Sequence, residues 1–404
     1  RFAYVANSAS NTISAYTINA SSGALTPGTD VSSGVGTTPV SVTVDPSGRF
    51  AYVAYFATSS MSVFSINQTT GVLTAGTPVS AGSTVNFPGS VSIEPSGKFL
   101  YVVDANTGNI SLFLINQVTG DLVAGGDFAA AALARSITAD PSGRFLYAAN
   151  ADSNTISVFV IDPVTGNLTS AAPASAAGGL ATPGFITVDP SGRFAYVANY
   201  GSGISVYTIN QTSGALTAGT AVAAGTNPYY IAVEPSGKFA YVANQGSNNI
   251  SVFSIDQTSG ALTPAGAAVP AGTAPTSLSV DPSGKFLYAS NSGSGTISVY
   301  TIDQTTGALT PGSPVAAGST PFSIATTAGY SPNVTDTMTN NDFEADPNNT
   351  VDPNITGWNQ NFYTTNDYGV HGTPAYPNHD LRVTSTRSYS GSNSIYSYVR
   401  NTTG

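Results

Sequence analysis

The chain has 404 residues, no cysteine, 8% charged residues and a formal net charge of −10. Disulfides, thiolate metal sites and cysteine nucleophiles are excluded, and the acidic balance argues against nucleic-acid partners, which need a basic patch. No apolar run approaches the ~20 residues that a membrane-spanning helix requires.

Taken in order, the chain opens on Arg1-Phe2-Ala3-Tyr4-Val5-Ala6-Asn7, the tail of a unit that then repeats along most of its length. No signal peptide is present, and a start in mid-repeat suggests that something upstream has been removed. The full unit begins with an acidic-Pro-Ser-Gly-Arg/Lys-Phe motif at Asp45, Glu94, Asp140, Asp189, Glu234 and Asp281. Proline presets the backbone, the acidic side chain accepts nearby amides, and the order of residues suits a type I turn. The aromatic and β-branched stretch that follows, as in Phe194-Ala195-Tyr196-Val197-Ala198-Asn199, predicts a strand. Its phenylalanine stands at 2, 50, 99, 145, 194, 239 and 286, a period near 47 residues.

Each unit predicts four short strands. In the unit near Pro228 they are Tyr230–Val233, Phe239–Asn244, Ile250–Ile255 and a weaker one near Ala261-Leu262-Thr263. The third strand recurs at Ile13, Met61, Ile110, Ile156, Ile204, Ile250 and Ile297. The hairpin before the fourth carries Gly23, Gly71, Gly120, Gly166, Gly214, Gly260 and Gly307, where glycine supplies a positive backbone angle. Four antiparallel strands per ~40–50 residues is the signature of a propeller blade. The N-terminal unit lacks its first strand, and Phe322–Thr326 at the far end supplies one. The expectation is an all-β, seven-bladed propeller over residues 1–330, with one blade closed by both ends of the chain.

The repeated Phe-Ala-Tyr-Val-Ala-Asn followed by Ile-Ser-Val-Tyr-Thr-Ile resembles YVTN-type propellers and the wider lactonase-like seven-bladed propeller family, from residue 1 to about 330. That resemblance implies fold more than function, since propellers host many chemistries. It implies a ligand site at the channel mouth, just after the opening of the innermost strands. The positions there are Val40, Gly89, Arg135, Gly184, Tyr229, Thr276 and Phe322, which vary while their neighbours repeat. Arg135, Tyr229, Thr276 and Phe322 are the candidate ligand-binding residues, Arg135 as a holder of carboxylate or phosphate. Lactonases of this fold are expected to use a His, Arg and acidic cluster at the mouth, and only Arg135 matches one member.

Residues 331–404 break the repeat. Asn341-Asp342-Phe343-Glu344, Thr356-Gly357-Trp358 and Ser388-Tyr389-Ser390-Gly391-Ser392-Asn393-Ser394-Ile395 resemble the opening of a carbohydrate-binding-module-like jelly roll, a partial β-sandwich that a continuing chain or another subunit would complete. Trp358, Tyr363 and Tyr368 are candidates for stacking on sugars. Asp342, Glu344, Asp346 and Asp380, with Asp352, His371 and His379 nearby, are candidates for a structural calcium site. Ten Asn-x-Ser/Thr sequons, among them Asn67, Asn210 and Asn249, invite glycosylation but also arise by chance in an Asn- and Thr-rich chain.

Low charge, a Ser/Thr/Asn surface and the missing catalytic cluster lead to an expectation of a non-enzymatic extracellular surface protein. It would carry no cofactor beyond calcium and would assemble into a homo-oligomer, filament or layer through its C-terminal β segment. The alternatives are a glycan-binding or adhesin module and a lactonase-like hydrolase.

Overall fold

The computed structural model describes residues 1–32, 37–80, 87–130, 133–171, 174–175, 182–201 and 203–327, with the backbone of 382–388 and 395–400. Backbone contacts divide the chain into Arg1–Gly329 and Tyr330–Gly404. The first unit is a seven-bladed propeller of antiparallel sheets. In blade 6 the order from the channel outward is Pro228–Val233, Phe239–Asn244, Asn249–Ile255 and Leu262–Pro264. Blade 1 takes its inner strand, Pro321–Thr326, from the end of the repeat array and its other strands from the N-terminus. Val5 pairs with Ile324 there, so the ring closes through backbone hydrogen bonds.

The repeated residues have specific tasks in this ring. Asp281 accepts from the backbone amides of Lys285 and Phe286 at 2.9 Å, and Gly284 donates back to the Asp281 carbonyl at 2.8 Å. The acidic-Pro-Ser-Gly motif is thus a self-satisfied turn, and its carboxylate saturates the first amides of the next strand. Phenylalanine and tyrosine two residues apart in that strand join neighbouring blades. Phe239 packs on Gly307 of the next blade, and the Tyr241 hydroxyl donates to the Gly307 carbonyl at 3.1 Å. The same tyrosine bond recurs at all seven joints at 2.8–3.1 Å, ending with Tyr288 to Gly23. The hairpin glycine therefore serves two needs, a φ near +73° at Gly307 and room for the neighbour's phenyl ring.

The core is seven wedges between blades. One holds Phe239, Tyr241, Ile250, Leu278, Leu287 and Tyr300. Where the sequence predicts one weak fourth strand, five blades carry a split one, such as Leu309–Pro311 and Val315–Ala316. Blade 3 alone among the described residues carries a continuous outer strand, Leu122–Phe128, with a bulge opposite Leu112 and Phe113. Short, interrupted outer strands leave little open edge.

In the second unit, Arg382–Ser388 and Ile395–Arg400 form an antiparallel hairpin. The jelly-roll expectation otherwise falls outside the described residues, as do Trp358, Tyr363, Tyr368, Asp342, Glu344, Asp346, Asp352, Asp380, His371 and His379.

Candidate functional site

The seven inner strands are edge strands facing a central channel, so their outward-facing amides need partners. Serines supply several: Ser90 accepts from Ile137 N, Ser136 from Ile186 N, Ser277 from Ile324 N and Ser323 from Val42 N, at 3.2–3.3 Å. In blades 5 and 6 the equivalent residues are Phe185 and Tyr230, whose rings stack at 3.7 Å. This pair lines the cavity one residue further along the inner strands than the variable mouth positions. The resulting cavity has a volume of about 800 Å³, within the range of ligand sites.

The mouth is built on strained backbone. Thr38, Leu133, Thr182, Asn227, Ala274 and Thr320, each just before an inner strand, have φ of +51° to +61°. Their carbonyls accept from the residue that follows the second strand of the same blade, as in Phe56 N to Thr38 O and Tyr200 N to Thr182 O, both 3.0 Å. The rim side chains are therefore held by a repeated backbone bond, while their identities vary.

All seven variable positions, Val40, Gly89, Arg135, Gly184, Tyr229, Thr276 and Phe322, line the one cavity. Arg135 is exposed and supplies the cavity's cation. Glycines flank it on both sides. A Cβ on Gly89 would stand 3.8 Å from the Arg135 carbonyl, and one on Gly184 would stand 3.7 Å from the Tyr229 carbonyl. Arg135 is thus flanked in both neighbouring blades by a position without a side chain. Tyr229 forms edge-to-face contacts with Phe322 at 6.1 Å and with Tyr200 at 6.4 Å, a wall that spans blades 5, 6 and 1. Burial raises the Tyr229 hydroxyl above its ordinary value of 10, while Arg135 draws it back down. Thr276, nearly fully buried, donates to the Phe322 carbonyl at 2.9 Å and fixes the floor beneath that wall.

Three rim aromatics escape sequence reading: Tyr200, Phe56 and Phe87, the last two with ring centroids 5.0 Å apart. Each is 37–38% exposed. The available signal was their departure from the repeat, since Ser8, Ala105 and Ser292 occupy the positions equivalent to Phe56 and Tyr200. Asp104 replaces the Asn that ends the second strand in five other blades, but it accepts from Asn106 N at 2.7 Å and Thr107 N at 2.9 Å and caps its own turn. The described cavity lining contains neither carboxylate nor imidazole.

The family described as lactonase, 7-bladed β-propeller, matches residues 1–132, 76–182, 169–276 and 231–325. The chain belongs to this lactonase family. Among solved structures, a candidate 6-phosphogluconolactonase from Bacteroides uniformis is similar with a TM-score of 0.70 and 21% identity, over 80% of this chain and 98% of that one. A second, from Bacteroides fragilis, has a TM-score of 0.69 and 22% identity, over 80% and 96%. The periplasmic gluconolactonase of Pseudomonas aeruginosa has a TM-score of 0.67 and 18% identity, over 80% and 98%. These likenesses concern the fold. No curated protein matches the sequence.

Membership in the lactonase family overturns the expectation of a non-enzymatic, self-assembling surface protein. That expectation rested on low charge, a Ser/Thr/Asn surface and the missing His and acidic partners of Arg135. Their absence counts against one way of activating water. It does not count against hydrolysis of a lactone, which is a reactive ester held in its less stable geometry.

Proposed function

We propose that the protein hydrolyses an uncharged sugar lactone at the propeller mouth, with Arg135 as the electrophilic residue. The observation that carries this reading is the placement of Arg135 between two glycine positions, in a cavity that Tyr229 also lines, in a chain of the lactonase family. The Tyr200–Tyr229–Phe322 wall receives the apolar face of the sugar ring. The Arg135 guanidinium donates to the lactone carbonyl oxygen and holds the negative charge that develops there as water attacks the carbonyl carbon. The attacking water releases a proton to solvent. Tyr229, kept protonated by burial, donates its proton to the ring oxygen as the C–O bond breaks, and regains one from solvent. A 6-phosphate on the substrate would compete for the same guanidinium, which favours a neutral aldonolactone.

The test is initial-rate hydrolysis of δ-gluconolactone at pH 6.5, with the spontaneous rate subtracted. Arg135→Ala should lower kcat/KM by about 100-fold or more, the scale of losing one oxyanion donor. Tyr229→Phe should lower kcat by about tenfold, with little effect on KM. Hydrolysis by the wild type no faster than buffer, or turnover indifferent to Arg135→Ala, would refute the reading.

A further inference from the structure

Phe56 and Phe87 are not used by the reaction just described, yet they form an aromatic pair beside it: Phe56 lines the same cavity as Arg135, and Phe87 packs on Phe56 from the next blade. They come from different blades. Phe56 follows the second strand of blade 2, and Phe87 precedes the inner strand of blade 3, Pro88–Ile93. Their centroids lie 5.0 Å apart with the planes 44° to each other, and both rings are 38% exposed. Two large aromatics this open on a rim need a reason, because solvent exposure forfeits the burial that usually places them. The other blades show what the fold itself requires at these positions. Ser8, Ala105, Ala151, Gln245 and Ser292 stand where Phe56 stands, with Tyr200 the one other aromatic, and Thr38, Leu133, Thr182, Asn227, Ala274 and Thr320 stand where Phe87 stands.

Gly89 connects this pair to Arg135. It lies two residues after Phe87, a Cβ there would stand 3.0 Å from the Ala105 side chain, and the Arg135 carbonyl is 3.8 Å away. Five of the equivalent positions carry a side chain, Val40, Arg135, Tyr229, Thr276 and Phe322, so Gly89 leaves the lining between Phe56 of blade 2 and Arg135 of blade 4 without one. Around the ring, the Phe56–Phe87 pair of blades 2 and 3 and the Tyr200–Tyr229–Phe322 wall of blades 5, 6 and 1 thus stand on either side of Arg135 in blade 4. One sugar ring occupies one wall.

We infer that Phe56 and Phe87 form a second sugar subsite, joined to the first across Gly89, and that the substrate is the lactone of a disaccharide rather than of a single sugar. A saccharide fits this wall better than an aryl group. The neighbouring channel lining offers Ser41, Ser90 and Ser92 hydroxyls and glycine backbone, which suit a ring with polar edges and an apolar face. The inference rests on the lactonase reading of Arg135 and concerns a different part of the mouth.

The experiment compares δ-gluconolactone with its 4-O-glucosyl derivative. For the wild type, kcat/KM for the disaccharide lactone should exceed that for the monosaccharide by about tenfold or more, the discrimination that one apolar contact surface provides. In the Phe56→Ala/Phe87→Ala double variant the preference should vanish through a higher KM for the disaccharide. Gly89→Val should produce the same loss by placing a side chain in the lining between Phe56 and Arg135. Equal kcat/KM for the two lactones in the wild type, or a preference that survives both variants, would overturn the inference. If the wild type hydrolyses neither lactone, the Arg135 reading fails and the subsite is read by calorimetry. The 4-O-glucosyl gluconate should then bind about tenfold tighter than gluconate in the wild type and equally in the double variant. Equal affinities in the wild type, or binding of neither acid, would overturn it.

Discussion

Gly307 sits at the joint between blades 6 and 7, and its replacement by Ala isolates what holds the ring together. Its φ is +73°, and a Cβ there would lie 2.6 Å from Cγ and 2.8 Å from Cε1 of the Phe239 ring. The backbone angle alone costs about 1–2 kcal/mol for a residue with a Cβ. Displacing a packed phenyl ring adds about 1–3 kcal/mol, and the shift threatens the Tyr241 bond to the Gly307 carbonyl. Gly48 provides the control, because its φ is +71° and a Cβ there would meet nothing within 4 Å. Gly48→Ala should therefore cost only the backbone contribution. For a unit of this length the unfolding entropy is roughly 0.7 kcal/mol/K, so each kcal/mol lowers Tm by about 1–2 °C. Differential scanning calorimetry should show Gly307→Ala melting about 2–5 °C below Gly48→Ala. Equal Tm values for the two variants would mean that the phenyl seat contributes nothing and that only the turn angle requires glycine.

Other outcomes follow from the same joints and turns. Burial pushes the hydroxyls of Tyr55, Tyr207, Tyr230 and Tyr300 up to about 12, and those of Tyr4, Tyr52, Tyr101, Tyr147, Tyr196, Tyr241 and Tyr288 higher still. A raised value in the folded state stabilises below the ordinary 10 and is lost as pH rises through the folded value. Absorbance at 295 nm should therefore show these tyrosines silent at pH 11, ionising only as far-UV circular dichroism is lost; full ionisation with a native spectrum would contradict this. Asp303 accepts from Thr306 N at 2.8 Å and Thr305 N at 2.9 Å, which holds its carboxyl below 3.8. That contribution is present above 3.8 and disappears as pH falls through the folded value. Asp303→Asn should match the wild-type Tm at pH 7, since Asn67 and Asn210 already cap the same turn, and should lose less Tm between pH 4 and pH 2.5. An equal acid loss would remove the carboxylate from the account. The Arg135→Ala loss of lactone turnover is the functional counterpart of these tests.

The Asx turns bear on the sequons as well. Asn67 and Asn210 use Oδ1 to cap a hairpin where Asp162, Asp256 and Asp303 stand in other blades. The interchange shows that the shared carbonyl-type oxygen is what the turn requires, so these Asn-x-Ser/Thr triplets have a structural origin independent of glycosylation.

The sequence by itself determined the architecture, because its information is periodic. A turn motif every ~47 residues, period-2 strands and a missing first strand restored at the other end leave one ring of seven four-stranded blades. Periodicity also exposed the channel-lining ring, since Val40 through Phe322 vary inside a repeated frame. It did not bring out Phe56, Phe87 and Tyr200, because they lie in loops, where a departure from the repeat looks like ordinary drift. Only the packing of blade on blade brings Phe56 of blade 2 against Phe87 of blade 3, and Tyr229 of blade 6 across Thr276 to Phe322 of blade 1. The functional expectation failed for a related reason. Counting residue types registered the missing histidine and carboxylate but not that Arg135 lines the cavity between two glycine positions. Strand and turn preferences act over a few residues and are written locally, whereas a binding mouth is a sum of side chains from seven distant segments, assembled only when the ring closes.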